Sequence, residues 1–135
     1  MIVADRGFYF HSNEDANSVL KGFTIMNGYG GNFGGGIYCR DSSPMVTDCV
    51  LISNSAGHGG GMMNWNSSPT LSRCTFQQNS SRDMGGAIEN HYHSNAKILL
   101  CAFNQNSAGQ DGGAIYDYHS DPTFERCIFS ENYAS

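Results

Sequence analysis

The sequence predicts an all-β chain, a right-handed parallel β-helix (solenoid) of about five rungs of 25–27 residues. Three observations predict it. Glycine pairs begin at Gly34, Gly59, Gly85 and Gly112, at intervals of 25, 26 and 27 residues. Cysteines follow each pair at Cys49, Cys74, Cys101 and Cys127, 15 or 16 residues on. Between these marks stand only short apolar words, such as Gly36-Ile37-Tyr38 and Cys49-Val50-Leu51, separated by Gly, Ser, Asn or Pro. No 11-residue window carries a helical stripe, and the words suit strands. A unit of this length, read as three short strands and three turns, is one solenoid rung. Leucine-rich repeats would need regularly spaced leucines, and a propeller blade needs about 40 residues.

Taken in order, Gly7-Phe8-Tyr9-Phe10 reads as a first strand. Val19, Gly22 at the cysteine position, Thr24 and Asn27 read as a degenerate copy. The repeats are expected at about 7–33, 34–58, 59–84, 85–111 and 112–135, within one domain over 1–135. Parallel strands lie about 4.8 Å apart, so equivalent residues stack. Ile37, Met62, Ile88 and Ile115 are expected as one inward column, and Leu51, Phe76, Phe103 and Phe129 as another. Val46, Leu71, Ile98 and Phe124 precede each cysteine by three residues. Five residues past the cysteines stand Asn54, Asn79, Asn106 and Asn132, with Asn27 as their equivalent in the first copy. These are expected as a structural asparagine ladder inside a turn, each amide bonding backbone or the next amide, with Asn itself in the left-handed conformation.

The cysteine column is expected inward, as free thiols behaving as small hydrophobes. Stacked Cα atoms also fall within disulfide reach, so one or two stapled rungs are the alternative. Zinc sites use cysteines two to four residues apart, and none occur. Cys39 lies outside the column near a loop and is expected to be the more reactive thiol.

Charged residues are 14% of the chain and the net charge is −5, which disfavours nucleic acid as a partner. No apolar run reaches the roughly 18 residues a membrane helix needs. Met1 to Arg6 lack an apolar core of signal-peptide length. The last copy stops at Ser130-Glu131-Asn132-Tyr133-Ala134-Ser135 without a polar cap. The expectation is a fragment of a longer solenoid, or self-association through its ends.

The loops after the Gly-Gly strands carry the candidate ligand site. They read Cys39-Arg40-Asp41-Ser42-Ser43-Pro44, Asn64-Trp65-Asn66-Ser67-Ser68-Pro69, Asn90-His91-Tyr92-His93-Ser94-Asn95-Ala96 and Asp117-Tyr118-His119-Ser120-Asp121-Pro122. Stacking is expected to bring Trp65, His91, Tyr92, His93, Tyr118 and His119 onto one edge, with Glu89, Asp41 and Asp117 nearby. Aromatic rings beside amides, acids and hydroxyls suit a polysaccharide or cell-surface glycan. His91, His93 and His119 could instead take a transition metal, and a plain solvated surface is the bland alternative. No metal set, cofactor or catalytic residue is assigned.

Gly85-Gly86-Ala87-Ile88 and Gly112-Gly113-Ala114-Ile115 resemble the first half of the polymorphic outer membrane protein repeat. Phe76-Gln77-Gln78-Asn79, Phe103-Asn104-Gln105-Asn106 and Phe129-Ser130-Glu131-Asn132 resemble its Phe-x-x-Asn half. The chain is similar to bacterial right-handed β-helix proteins of the pectate-lyase-like superfamily. That resemblance implies an extracellular or cell-surface adhesin, passenger or binding domain, or alternatively a polysaccharide lyase or glycoside hydrolase. Lyases of that superfamily hold calcium on outward aspartates, yet the equivalent positions here are Tyr38, Met63, Glu89 and Tyr116. Asp41, Asp48, Asp111, Asp117 and Asp121 are scattered. The expectation is therefore a non-catalytic β-helix.

Overall fold

Residues 5–135 are described by a computed structural model; Met1 to Ala4, part of the N-terminal stretch considered above, lie outside them. The strands are β1 (Phe8–Phe10), β2 (Val19–Lys21) and β3 (Thr24–Met26), then β4 (Ile37–Arg40), β5 (Met45–Thr47), β6 (Val50–Ile52) and β7 (Ser55–His58). The third rung holds β8 (Met62–Trp65), β9 (Thr70–Ser72), β10 (Thr75–Gln77) and β11 (Ser80–Met84). The fourth holds β12 (Ile88–His91), β13 (Lys97–Leu99), β14 (Ala102–Asn104) and β15 (Ser107–Ala108). The fifth holds β16 (Ile115–Tyr118), β17 (Thr123–Glu125), β18 (Ile128–Ser130) and β19 (Tyr133–Ala134). Each strand pairs in parallel with its equivalent one rung away. Four sheets result: β1-β4-β8-β12-β16, β2-β5-β9-β13-β17, β3-β6-β10-β14-β18 and β7-β11-β15-β19. The fold is the expected right-handed β-solenoid of about five turns.

A complete rung contains four strands, which corrects the expected three. The extra strands are Ser55–His58, Ser80–Met84, Ser107–Ala108 and Tyr133–Ala134. In the middle rungs they open on Ser-Ala or Ser-Ser and carry no apolar word. Their pairing is imposed by the rungs above and below.

The corners are marked by residues with positive φ, singly at most of them and as the pair Tyr92 and His93 after β12. In the third rung they are Gly59 (60°), Asn66 (48°), Arg73 (51°) and Gln78 (53°). At Arg73 and Gln78 one left-handed residue turns the chain sharply with no loop. Arg73 and Gln78 tolerate this with exposed side chains. The Gly-Gly corner does not. At Gly85 (φ +65°) a Cβ would lie 2.5 Å from the Ile88 carbonyl oxygen and 2.9 Å from Glu89 Cβ. Only glycine fits so close an approach.

The core is made of stacked columns. Ile37, Met62 and Ile88 are wholly buried, and Ile115 packs partly exposed against the same cluster. Phe76 stacks on Phe103 with ring centroids 5.0 Å apart, and Phe103 on Phe129 at 4.8 Å. Leu20, Val46, Leu71, Ile98 and Phe124 form a third register. Each buried aliphatic or aromatic side chain contributes about 1.5–3 kcal/mol of transfer free energy.

The asparagines sit inside, between the third and fourth sheets. Asn54 Nδ2 donates to Asn79 Oδ1 at 3.0 Å, Asn79 Nδ2 to Asn106 Oδ1 at 3.0 Å, and Asn106 Nδ2 to Asn132 Oδ1 at 2.9 Å. Their second protons reach the carbonyls of Ile25, Leu51 and Phe76. Asn27 is a correction: it is exposed, and Gly28 fills the column, its N–H donating to Asn54 Oδ1 at 2.9 Å. The first copy is registered one residue later than expected. Leu20 pairs with Val46, Ile25 with Leu51, and Phe23, not Gly22, precedes Thr24 in the cysteine position. A one-residue slip in a strand exchanges its faces, so Val19 and Thr24 point out. The left-handed residue is also the one before each column asparagine: Ser53, Gln78, Gln105 and Glu131.

All five cysteines are free. Cys49, Cys74 and Cys101 are buried, and Cys127 is partly exposed. Their thiols donate to the carbonyls two residues back, at 3.3–3.5 Å. Cys39 reverses its expectation. It points into the core with no exposed surface, and burial pushes its thiol well above the ordinary range.

Candidate functional site

The first sheet presents four columns, alternating in and out. Outermost are Arg40, Trp65, His91 and Tyr118, in register on neighbouring strands. Their rings stack along the solenoid axis. Trp65 and His91 centroids are 4.7 Å apart at 13°, and His91 and Tyr118 are 4.6 Å apart at 27°. Both faces of His91 are therefore covered. Tyr92 follows it at a left-handed corner (φ 52°) and stands at 79° to it, 4.5 Å away. Tyr92 also stands across Trp65 and Tyr118, at 67° and 82°, and parallel to His119. Tyr92 remains 42% exposed and Tyr118 37%.

Serine hydroxyls hold the loop beneath. Ser42 N–H donates to Ser67 Oγ, Ser67 N–H to Ser94 Oγ, and Ser94 N–H to Ser120 Oγ, each at 3.0 Å. A parallel set runs from Ser68 N–H to Ser43 Oγ, Asn95 N–H to Ser68 Oγ, and Asp121 N–H to Asn95 Oδ1. These bonds set the register of the edge.

Glu89 departs from its expected place. It faces out from the sheet yet has no exposed surface. The residues before each Gly-Gly corner, Phe33, His58 and Met84, pair in one column beside it. Glu89 Oε2 lies 2.9 Å from His58 Nδ1, and Oε1 lies 3.0 Å from His91 Nδ1. His58 Nε2 lies 3.7 Å from Asp83 Oδ2. A buried carboxylate is costly unless it is hydrogen-bonded, and the two imidazoles supply those bonds. His58 and Asp83 were absent from the sequence candidates. The signal was present: both sit at or next to the position before a glycine pair, which repeats like every other column.

Asp117 is exposed in the last rung. It belongs to the inward column with Cys39, Asn64 and Asn90, where it accepts from Asn90 Nδ2 at 2.8 Å. Asn64 Nδ2 donates to Asn90 Oδ1 at 2.9 Å, while Asn64 Oδ1 is buried without a partner. His93 and His119 are exposed at left-handed corners. Asp41 accepts from Asn66 Nδ2 at 2.7 Å. Among the described residues no three His, Cys, Asp or Glu side chains stand as a metal-binding group. No helix there is long and apolar enough to cross a membrane.

Fold and edge together define a parallel β-solenoid with an aromatic, polar flank on its first sheet. A family model described as right handed beta helix region matches residues 3–129, and the chain belongs to that family. No curated protein and no solved structure matches the chain.

Proposed function

We propose that this chain is a non-catalytic, extracellular or cell-surface β-helix, of the adhesin or passenger kind, that binds carbohydrate at the edge around Tyr92 and Tyr118. One observation carries the reading. Tyr92 stands edge-to-face with His91 and parallel to His119, 6.5 Å away, and yet stays 42% exposed. Exposed aromatic surface on Tyr92 and Tyr118, with His119 against both rings, suits sugar C–H groups and hydroxyls. Trp65 and His91 act as the wall behind it, because their faces are spent on each other.

A glycan array read with wild type and Tyr92→Ala tests this. Loss of at least tenfold in affinity in the variant is expected. Glycan binding that survives Tyr92→Ala, or maps to the turns near Asn54 and Asn79, would refute it. Self-association through the last rung belongs to the same reading, supported by the exposed Phe124, Ile128 and Phe129. Light scattering over a concentration series measures it.

A lyase or hydrolase is the second reading, favoured by one arrangement. Glu89 fixes His91 Nδ1, which leaves Nε2 as the atom able to take a proton. Glu89 itself cannot touch a substrate. Turnover of acidic polysaccharide that disappears in His91→Gln would favour this reading.

A further inference from the structure

The described molecule contains one carboxylate with no exposed surface that two histidines share. We propose that His58, Glu89 and His91 form a proton-operated latch between the first and fourth sheets, which holds the aromatic column when both imidazoles are charged. Its effect on ligand binding rests on the glycan-edge reading; the latch itself does not.

His58 ends β7 in the fourth sheet and His91 ends β12 in the first, so Glu89 joins two sheets. Beyond His58 stands Asp83, which also faces Arg82 Nε at 3.4 Å and receives Gln110 Nε2 at 3.1 Å. From the neighbouring strands Met63, Tyr116, Trp65 and Tyr118 stand beside Glu89 and His91, with Arg40 one rung further, beyond Trp65. Tyr92 and His119 face the column from the loop, His93 is exposed at the same corner, and Tyr38 and Asp111 occupy the equivalent columns two rungs away, beyond Met63 and Met84.

Charge counting gives the direction. With both imidazoles protonated, Glu89 and Asp83 each have a cationic partner. His91 then lies between the faces of Trp65 and Tyr118, where a cation is stabilised by both rings. With both neutral, Glu89 keeps two N–H donors but its buried charge has no cation against it. The cluster is therefore tighter with both imidazoles protonated than with both neutral, so it slackens as pH rises. Slackening frees the Trp65–His91–Tyr118 column, and Tyr92 with it, from the fourth sheet.

Trp65 is the chain's single tryptophan and stacks on His91, so its emission reports the latch. The experiment records emission from about pH 5 to 8, with imidazole nitrogen chemical shifts followed alongside. A single transition tracking His91 is expected. It should be absent in His91→Gln, reduced in His58→Gln, and intact in His93→Gln and His119→Gln. Glycan affinity should be about fivefold higher at the acidic end. Flat emission, or a transition that survives His91→Gln, overturns the latch. A transition with no glycan bound at either pH upholds the latch and overturns the glycan-edge reading instead.

Discussion

Asn79 Oδ1 accepts two hydrogen bonds from Asn54, one from its backbone N–H and one from Nδ2, both at 3.0 Å. A single oxygen thus ties one rung to the next, and neither group has water in reach. The same pair of hydrogen bonds recurs from Asn79 to Asn106 Oδ1 and from Asn106 to Asn132 Oδ1.

Asn79→Ala leaves both Asn54 donors buried and unpaired. At about 1–3 kcal/mol for each unsatisfied group, the cost should be about 3–5 kcal/mol. Asn27→Ala, at an exposed corner, should stay within about 1 kcal/mol. Urea denaturation of the two variants measures the contrast. Equal losses would place Asn27 in the ladder after all.

Phe103 has stacked rings on both sides and no exposed surface. Phe103→Ala should cost about 3–5 kcal/mol by leaving a cavity between Phe76 and Phe129. Phe129→Ala should cost less, since Phe129 is 49% exposed. Thermal melts of both variants provide the comparison.

Thiol labelling should reverse the order that loop proximity suggests. Reactivity follows thiolate fraction and access. Cys39 has neither, because burial removes its access and pushes its ionisation up. Cys127 is the partly exposed thiol and should label first. Mass spectrometry after limited labelling at pH 8 reads this out. Cys39 should react only on unfolding.

Asp48 and Arg73 form a two-pronged pair across rungs, at 2.7 and 3.1 Å. The Arg73 hydrogen bonds hold the Asp48 carboxyl below the ordinary carboxylate range. A folded value below the unfolded one means the pair stabilises above the unfolded value. That contribution is lost as pH falls through the folded one. Arg73→Ala should raise the Asp48 midpoint in a carboxyl chemical-shift titration. An unchanged midpoint would mean that the pair is not populated in solution.

Glycine pairs, cysteines and asparagines at a 25–27 residue interval determined the solenoid from the sequence alone. Each rung must match its neighbours, so the same residue types recur at the same contact. Ile37, Leu51, Phe76 and Asn79 were legible for that reason. The aromatic edge was legible too, because stacking follows directly from register. Three things needed the tertiary structure. The fourth strand carries no apolar word, since it pairs through backbone alone. The first copy lacks the cysteine and asparagine that mark the frame, so its register slipped by one and put Asn27 in the place of Gly28. The Glu89 cluster depends on chain direction: the left-handed Gly-Gly corner folds His58 back across the outer face of the first sheet. Sequence spacing reports which residues stack along the axis, while contacts between different sheets of the solenoid depend on the angles of its corners.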